Sequence, residues 1–462
     1  MLADCTHAGA GVLGRIAVDA EGCEIVLSMQ SSPTHAASPP LVVAIEMGYG
    51  HLRAAWPLAD ALSTEVLEVD RPPLARLEEQ QLWKRTRQVY ESICRISQWP
   101  SIGRPLQKLL DDATSIPHLF PSRDLSSPTL PSHALDLLAS KAGLGLGMIE
   151  MMRSSRRPLL TTFFAPALIA ARLGMKDVFC VVTDSDIHRI WAPVDASTSS
   201  ITYFAPSTRV VRRLRAYGVP ADRVRFTGFP LPGELLGGPE LTVLKRNLAA
   251  RLVRLDPNRS FEVQFGDELD RLLGPRPKDQ RGMPPLVTFA VGGAGAQTEL
   301  VAQMLPSLRT SLEQGRLRLA LVAGVRAEVA NRLQSWIRQQ GLEALPARAL
   351  RVLFEQDMKA YFRAFNALMA ETDVLWTKPS EMSFFGALGL PMVFSAPVGA
   401  HEHYNRRWAV EQGAGLRQRD PRHAGQWLAE WLADGTLAAA AWAGYKSLPK
   451  YGLYKILEEL KA

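Results

Sequence analysis

Cysteine is scarce, with only Cys5, Cys23, Cys94 and Cys180 in 462 residues and no CxxC pair among them. That density excludes a disulfide scaffold, and a reducing compartment is expected. No apolar run reaches the length of about 18 residues that marks a membrane span. The opening MLADCTHAGAGVLG lacks the basic start and apolar stretch of a signal peptide. The expectation is therefore a cytoplasmic protein. Charged residues make up 21% of the chain and form no long block of one sign, which excludes wholesale disorder. Zinc-finger spacing, an RNP signature and a basic coiled region are all missing, so nucleic acid is not an expected partner. The net charge of +7 points instead to an anionic partner such as a nucleotide or a phospholipid surface.

What is present is alternation. LVVAIEM, Leu41 to Met47, is an apolar run of strand length that stops at GYGH and passes into RAAWPLADALS, whose apolar spacing is helical. EVLEVD, RPLLTTFF, DVFCVVTD, SSITYFAPS and RVRFTGFP continue the pattern, with helical segments between them. A second series follows in PLVTFAVGG, LRLALVAG, ALRVLFEQ, DVLWTKPS and PMVFSAP. Strand and helix in turn predict parallel, doubly wound sheets, and the length suits two lobes. The expected organisation is an unassigned segment over residues 1–39, a first Rossmann-like lobe over 40–236 and a polar helical connection over 237–285. A second Rossmann-like lobe follows over 286–440, with a terminal helix over 441–462 able to dock on the first lobe.

Ligands of such sheets lie beyond the carboxyl ends of the strands, so the informative residues come just after each strand. The first turn is Gly48-Tyr49-Gly50-His51. Its glycines let backbone approach a bound group, and His51 is either a general base or a helix-start histidine held by hydrogen bonds. The loop VVTDSDIHRIW carries Asp184, Asp186, His188 and Trp191. Its carboxylates suit a divalent cation, but an acid after a strand is more often a cap or loop anchor, and no metal is assigned. The second lobe opens with Gly292, Gly293 and Gly295, whose N–H groups suit a diphosphate. The loop has neither the lysine of a P-loop nor a GxGxxG continuation. Finally, Asp373 to Gly415 brings Lys378, Ser380, Glu381, Glu402 and Asn405 to the ends of two strands, with Ser380 and Glu381 opening a helix that closes on Gly389.

In this order and spacing GYGH, VTD with H and W, RRLRAYGVPADRVRFTGFP, VGGAG, and TKPSE with GLP and HEHYN resemble enzymes of the glycosyltransferase B fold. The nearest relatives suggested are monogalactosyldiacylglycerol synthases and the lipid-linked peptidoglycan N-acetylglucosaminyltransferase. The resemblance spans about Leu41 to Leu460. It implies two lobes facing a cleft and an inverting, metal-independent transfer of sugar from a nucleoside diphosphate, with a UDP-sugar as donor and no cofactor. Gly48, Gly50 and His188 would lie on the acceptor side, with His51 and Asp184 catalytic. Gly292, Gly293, Gly295, Lys378, Ser380, Glu381, Glu402 and Asn405 would surround the donor.

One position departs from the family pattern. Gly386 stands where a glutamate grips the ribose, and Glu381 arrives a turn earlier. Either Glu381 or Glu402 substitutes, or the donor is not an ordinary uridine nucleotide. A nucleotide-sugar epimerase or hydrolase, and a nucleotide-binding protein without catalysis, are the alternatives. The basic, aromatic stretch Leu82 to Leu110, with Trp83 and Trp99, suits peripheral contact with the inner face of a membrane and a lipid acceptor; the other reading puts its tryptophans in the core.

Overall fold

In each lobe, six short strands make a parallel sheet whose central strands are buried on both faces. The computed structural model describes residues 38–96, 115–290, 297–397 and 399–461. Residues 1–37, Trp99 and the glycines 292, 293 and 295 lie outside the described residues. Pro39–Ala462 forms one compact unit that contains both sheets.

The first sheet contains β1 (Leu41–Ala44), β2 (Val66–Glu68), β3 (Leu159–Thr161), β4 (Val178–Val181), β5 (Ile201–Ala205) and β6 (Val224–Phe226). Its order is β2-β1-β3-β4-β5-β6, and every pairing is parallel. The second contains β7 (Leu286–Ala290), β8 (Arg318–Gly324), β9 (Leu350–Phe354), β10 (Val374–Thr377), β11 (Met392–Phe394) and β12 (Gly415–Arg417). Read from its other edge, its order is β9-β8-β7-β10-β11-β12, again all parallel. That is the dinucleotide-fold order 3-2-1-4-5-6, whereas the first sheet follows the other doubly wound order. Each has one crevice where the winding reverses, between β1 and β3 in the first lobe and between β7 and β10 in the second.

Strand alternation divides the core. Val42 and Ala44 face one apolar cluster, while Leu41, Val43 and Ile45 face the other, as a period of two requires. Trp83, on the helix Leu77–Ile96, belongs to that second cluster and is 3% exposed. It is therefore a core residue, which selects the core reading of this tryptophan over the membrane-facing one.

The connection between the sheets also differs from expectation. The helix Thr242–Leu255, expected to be polar, buries Leu244, Leu248, Leu252 and Leu255. Arg251 on the same helix is fully buried and donates to the carbonyls of Thr372, Leu388 and Gly389 at 2.8, 2.9 and 3.2 Å. It thereby anchors the end of the segment that carries Glu381. The terminal helix Gly452–Glu459 lies against the first lobe, where Arg225 donates to Glu459 at 3.0 Å.

Gly386 has a packing role. A Cβ there would lie 2.9 Å from Leu448 Cδ1 and 3.2 Å from Ala414 Cβ, while a Cβ on Gly444 would lie 2.4 Å from the Gly386 carbonyl oxygen. Two glycines thus allow the helix Thr436–Ser447 to rest on the Glu381–Leu388 segment. Gly386 faces this packed interior, so a glutamate would collide there. Gly444→Ala is expected to lower stability by about 1–3 kcal/mol through overpacking, measured by chemical denaturation; wild-type stability would refute the close contact.

Candidate functional site between the two sheets

The turn after β1 is made possible by Gly48, whose φ of +83° is left-handed, and it leads into the helix Gly50–Ala61. His51 sits in the first turn of that helix, at the crevice between β1 and β3. Its Nδ1 lies 2.7 Å from the carbonyl oxygen of Thr162, just beyond β3. The Thr162 hydroxyl donates to the His51 carbonyl at 2.8 Å, so backbone and side chain are tied reciprocally. A carbonyl only accepts, so Nδ1 carries the hydrogen and Nε2 presents a lone pair. The ring packs against Phe163 and Trp191, with centroids 4.9 and 6.5 Å away. Burial lowers the His51 pKa, against the opposing influence of the Thr162 carbonyl, Asp184 and Glu381. The Thr162 carbonyl is thus the group that orients the His51 ring.

The loop after β4 divides its acids. Asp186 receives two hydrogen bonds from Arg213, at 2.8 and 2.9 Å, and both residues are 1% exposed. It is committed to that ion pair. Among the described residues no group of three His, Cys, Asp or Glu side chains is arranged to hold a metal ion. Asp184 remains half-buried, facing the other lobe. His188 donates from Nδ1 to the Ser115 carbonyl at 3.3 Å, and its ring lies 6.4 Å from that of His401 in the second lobe. Burial and then His401 lower its pKa to about 4.

In the second lobe, Lys378 and Glu381 follow β10. Lys378 donates to Glu402 at 2.8 Å. Burial would depress the ammonium, but Glu402, with Glu381 and Asp184 beyond it, outweighs that effect and raises the pKa. Glu381 crosses to the first lobe, where its Oε1 accepts from Arg53 Nε at 3.1 Å. Arg53 is 2% exposed, donates from Nη2 to the Tyr361 hydroxyl at 3.1 Å and lies 4.1 Å over the Phe365 ring. Removing one partner of such a buried pair costs about 3–5 kcal/mol. A Cβ on Gly50 would lie 3.0 Å from Glu381 Oε2, so this glycine admits the carboxylate.

Asn405, expected at the donor, is fully buried and spent on protein partners. Its Oδ1 accepts from Ser185 N–H at 2.8 Å, and its Nδ2 donates to Asp184 at 2.9 Å and to the Pro379 carbonyl at 3.4 Å. Ser380 does not cap the following segment, Glu381–Leu388, which is a 3₁₀ helix rather than an α-helix; Gly389 ends it in a left-handed conformation. The hydroxyls of Ser380 and Ser185 are buried without a partner among the described residues. Gln297 adopts a left-handed φ of +67° and donates to the Ala396 carbonyl at 2.7 Å, in the turn after β11.

The carboxyl ends of both sheets therefore meet, His51 and Asp184 from one side and Lys378, Glu381, Glu402 and Asn405 from the other. This is the expected arrangement of two Rossmann-like, doubly wound lobes facing one another. A family model described as a domain of unknown function, DUF6938, matches residues 338–455. No curated protein matches the chain significantly. Among solved structures, the UDP-GlcNAc 2-epimerase from Neisseria meningitidis bound to UDP-GlcNAc is 11% identical, with a TM-score of 0.47, over 91% of this chain and 99% of that one. MurG of Acinetobacter baumannii is 13% identical at a TM-score of 0.45, over 92% and 99%. The glycosyltransferase SnogD from Streptomyces nogalater is 16% identical at 0.41, over 92% and 100%. Likenesses this distant decide neither residues nor reaction.

Sequence reasoning missed Arg53, Thr162 and Tyr361. Arg53 had a detectable signal, a charged residue on the buried side of the largely apolar GHLRAAWPLADA. Thr162 holds the His51 ring through its carbonyl, which any residue would supply, so no sequence signal marks that contact.

The lowered pKa values of His51 and His188 set a direction for pH. The folded protein holds both neutral, so the unfolded chain takes up protons first as pH falls below about 6.5. Their contribution to stability is full above that pH and is lost below it, the His188 share down to about 4. Melting temperatures between about pH 7.5 and 4.5 should fall less steeply for His188→Phe than for the wild type; identical slopes would contradict the assignment.

Proposed function

We propose that the protein is an inverting, metal-independent glycosyltransferase that moves a sugar from a UDP-sugar to an acceptor hydroxyl. The observation that carries this reading is His51, whose Nδ1–H is held by the Thr162 carbonyl while a neutral Nε2 stands beside the meeting point of the two sheets. The acceptor oxygen attacks the anomeric carbon as the bond to the diphosphate breaks, and Nε2 takes the hydroxyl proton. Asp184 sits on the acceptor side. Lys378 and the backbone of Gly292, Gly293 and Gly295 are assigned to the diphosphate, where negative charge grows. Glu381 and Glu402 are assigned to the donor's hydroxyls, which requires Glu381 to share its carboxylate with Arg53. In this reading residues 40–236 hold the acceptor and 286–440 the donor.

Incubation with UDP-sugars and either a soluble or a lipid alcohol tests the reaction class directly. Transfer to the alcohol supports the proposal; an isomerised donor or free sugar would replace it with epimerisation or hydrolysis. His51→Ala is expected to lower the transfer rate by about 10²–10⁴-fold while UDP still raises the melting temperature. Undiminished transfer would remove His51 from the reaction.

A further inference from the structure

Asn405 and Asp184 are 221 residues apart and belong to different lobes, yet they share a part-buried hydrogen bond. Asn405 lies on the helix Ala400–Glu411 after β11, while Asp184 and Ser185 follow β4. We infer that Asn405 is a positioning residue for Asp184, holding that carboxylate in the site only while the lobes are closed. The inference rests on the reading in which Asp184 serves the acceptor half.

The chemistry of the amide supports it. At one side-chain position the protein needs an acceptor for the Ser185 N–H and a donor for the Asp184 carboxylate, separated by the width of a single planar group. A neutral amide supplies both. An aspartate would supply two acceptors and set two negative charges together, and leucine would leave both partners unpaired. With Oδ1 of Asp184 occupied by Asn405, its Oδ2 accepts no hydrogen bond from the described residues and can face a bound hydroxyl. Separation of the lobes by little more than a hydrogen-bond length breaks the Ser185 and Asp184 bonds together. The charged and titratable groups around the clasp are Asp184 and His188 after β4, His51 after β1, Lys378 and Glu381 after β10, and His401 and Glu402 on Asn405's own helix.

Asn405→Asp tests the clasp without relying on activity. At about pH 8 two ionised carboxylates would face each other, and at about pH 5 a shared proton would restore a donor, because such a pair titrates above an isolated acid. Small-angle scattering of the full chain is expected to show a larger radius of gyration than the wild type at the higher pH, and wild-type dimensions at the lower. Asn405→Leu should remain expanded at both. The exchanged pair Asn405→Asp with Asp184→Asn again joins a donor to an acceptor, and is expected to close at both pH values. A compact Asn405→Asp at pH 8, or an exchanged pair that stays expanded, would overturn the inference. The exchange also separates loss of the clasp from damage to the fold. In the sugar-transfer assay Asn405→Leu should lower kcat by up to about 10²-fold with less effect on the donor KM; a purely KM effect would also count against it. Absence of transfer by the wild type would defeat the functional reading while leaving the scattering result to decide the clasp.

Discussion

A parallel sheet collects exposed backbone groups and helix N-termini at the carboxyl ends of its strands, and here two such edges are pressed together. Every polar side chain at that junction must find a partner or be left without water. The result is a set of cross-lobe bonds: Arg53 with Glu381, Asn405 with Asp184 and Ser185, and the Tyr49 hydroxyl accepting from Val325 N–H at 3.2 Å. Glycine is required at the closest approaches. A Cβ on Gly324, whose φ is +73°, would lie 2.5 Å from the Tyr49 hydroxyl.

The electrostatics of the junction follow from this closure. Lys378 and Arg53 are each neutralised by a carboxylate from a different segment, and Asp184 is held by a neutral amide. Burial lowers the pKa of His51 and leaves the imidazole neutral, the state a proton acceptor requires. An anionic ligand would meet Lys378 and Arg53 already paired, so its binding to either would be an exchange of partners.

Much of the fold was legible because period-two strands and glycine turns are local properties. LVVA, LVTFA and VLWT form β1, β7 and β10 as the apolar runs predict, and the residues after β1 and β10 reach the crevice. Partner choice was less legible. The sequence expects Glu381 and Asn405 at the ends of β10 and β11, but nothing local reveals that Arg53 and Asp184 stand opposite them. For Trp83 the sequence left both readings open, because a basic amphipathic helix has the same pattern whether its apolar face meets lipid or core; its burial selects the core.

The departure at Gly386 marks the boundary between the two kinds of information. By itself the sequence determined two doubly wound lobes, the turn bearing His51 and the cluster of polar residues after β10 and β11, all of which depend on short-range periodicity and turn chemistry. Only the tertiary structure decided that Gly386 packs against Gly444, that the Thr162 carbonyl sets the His51 tautomer, and that Asn405 bridges the lobes. These depend on distances between segments far apart in the chain, and such distances exist only once both sheets have formed and met.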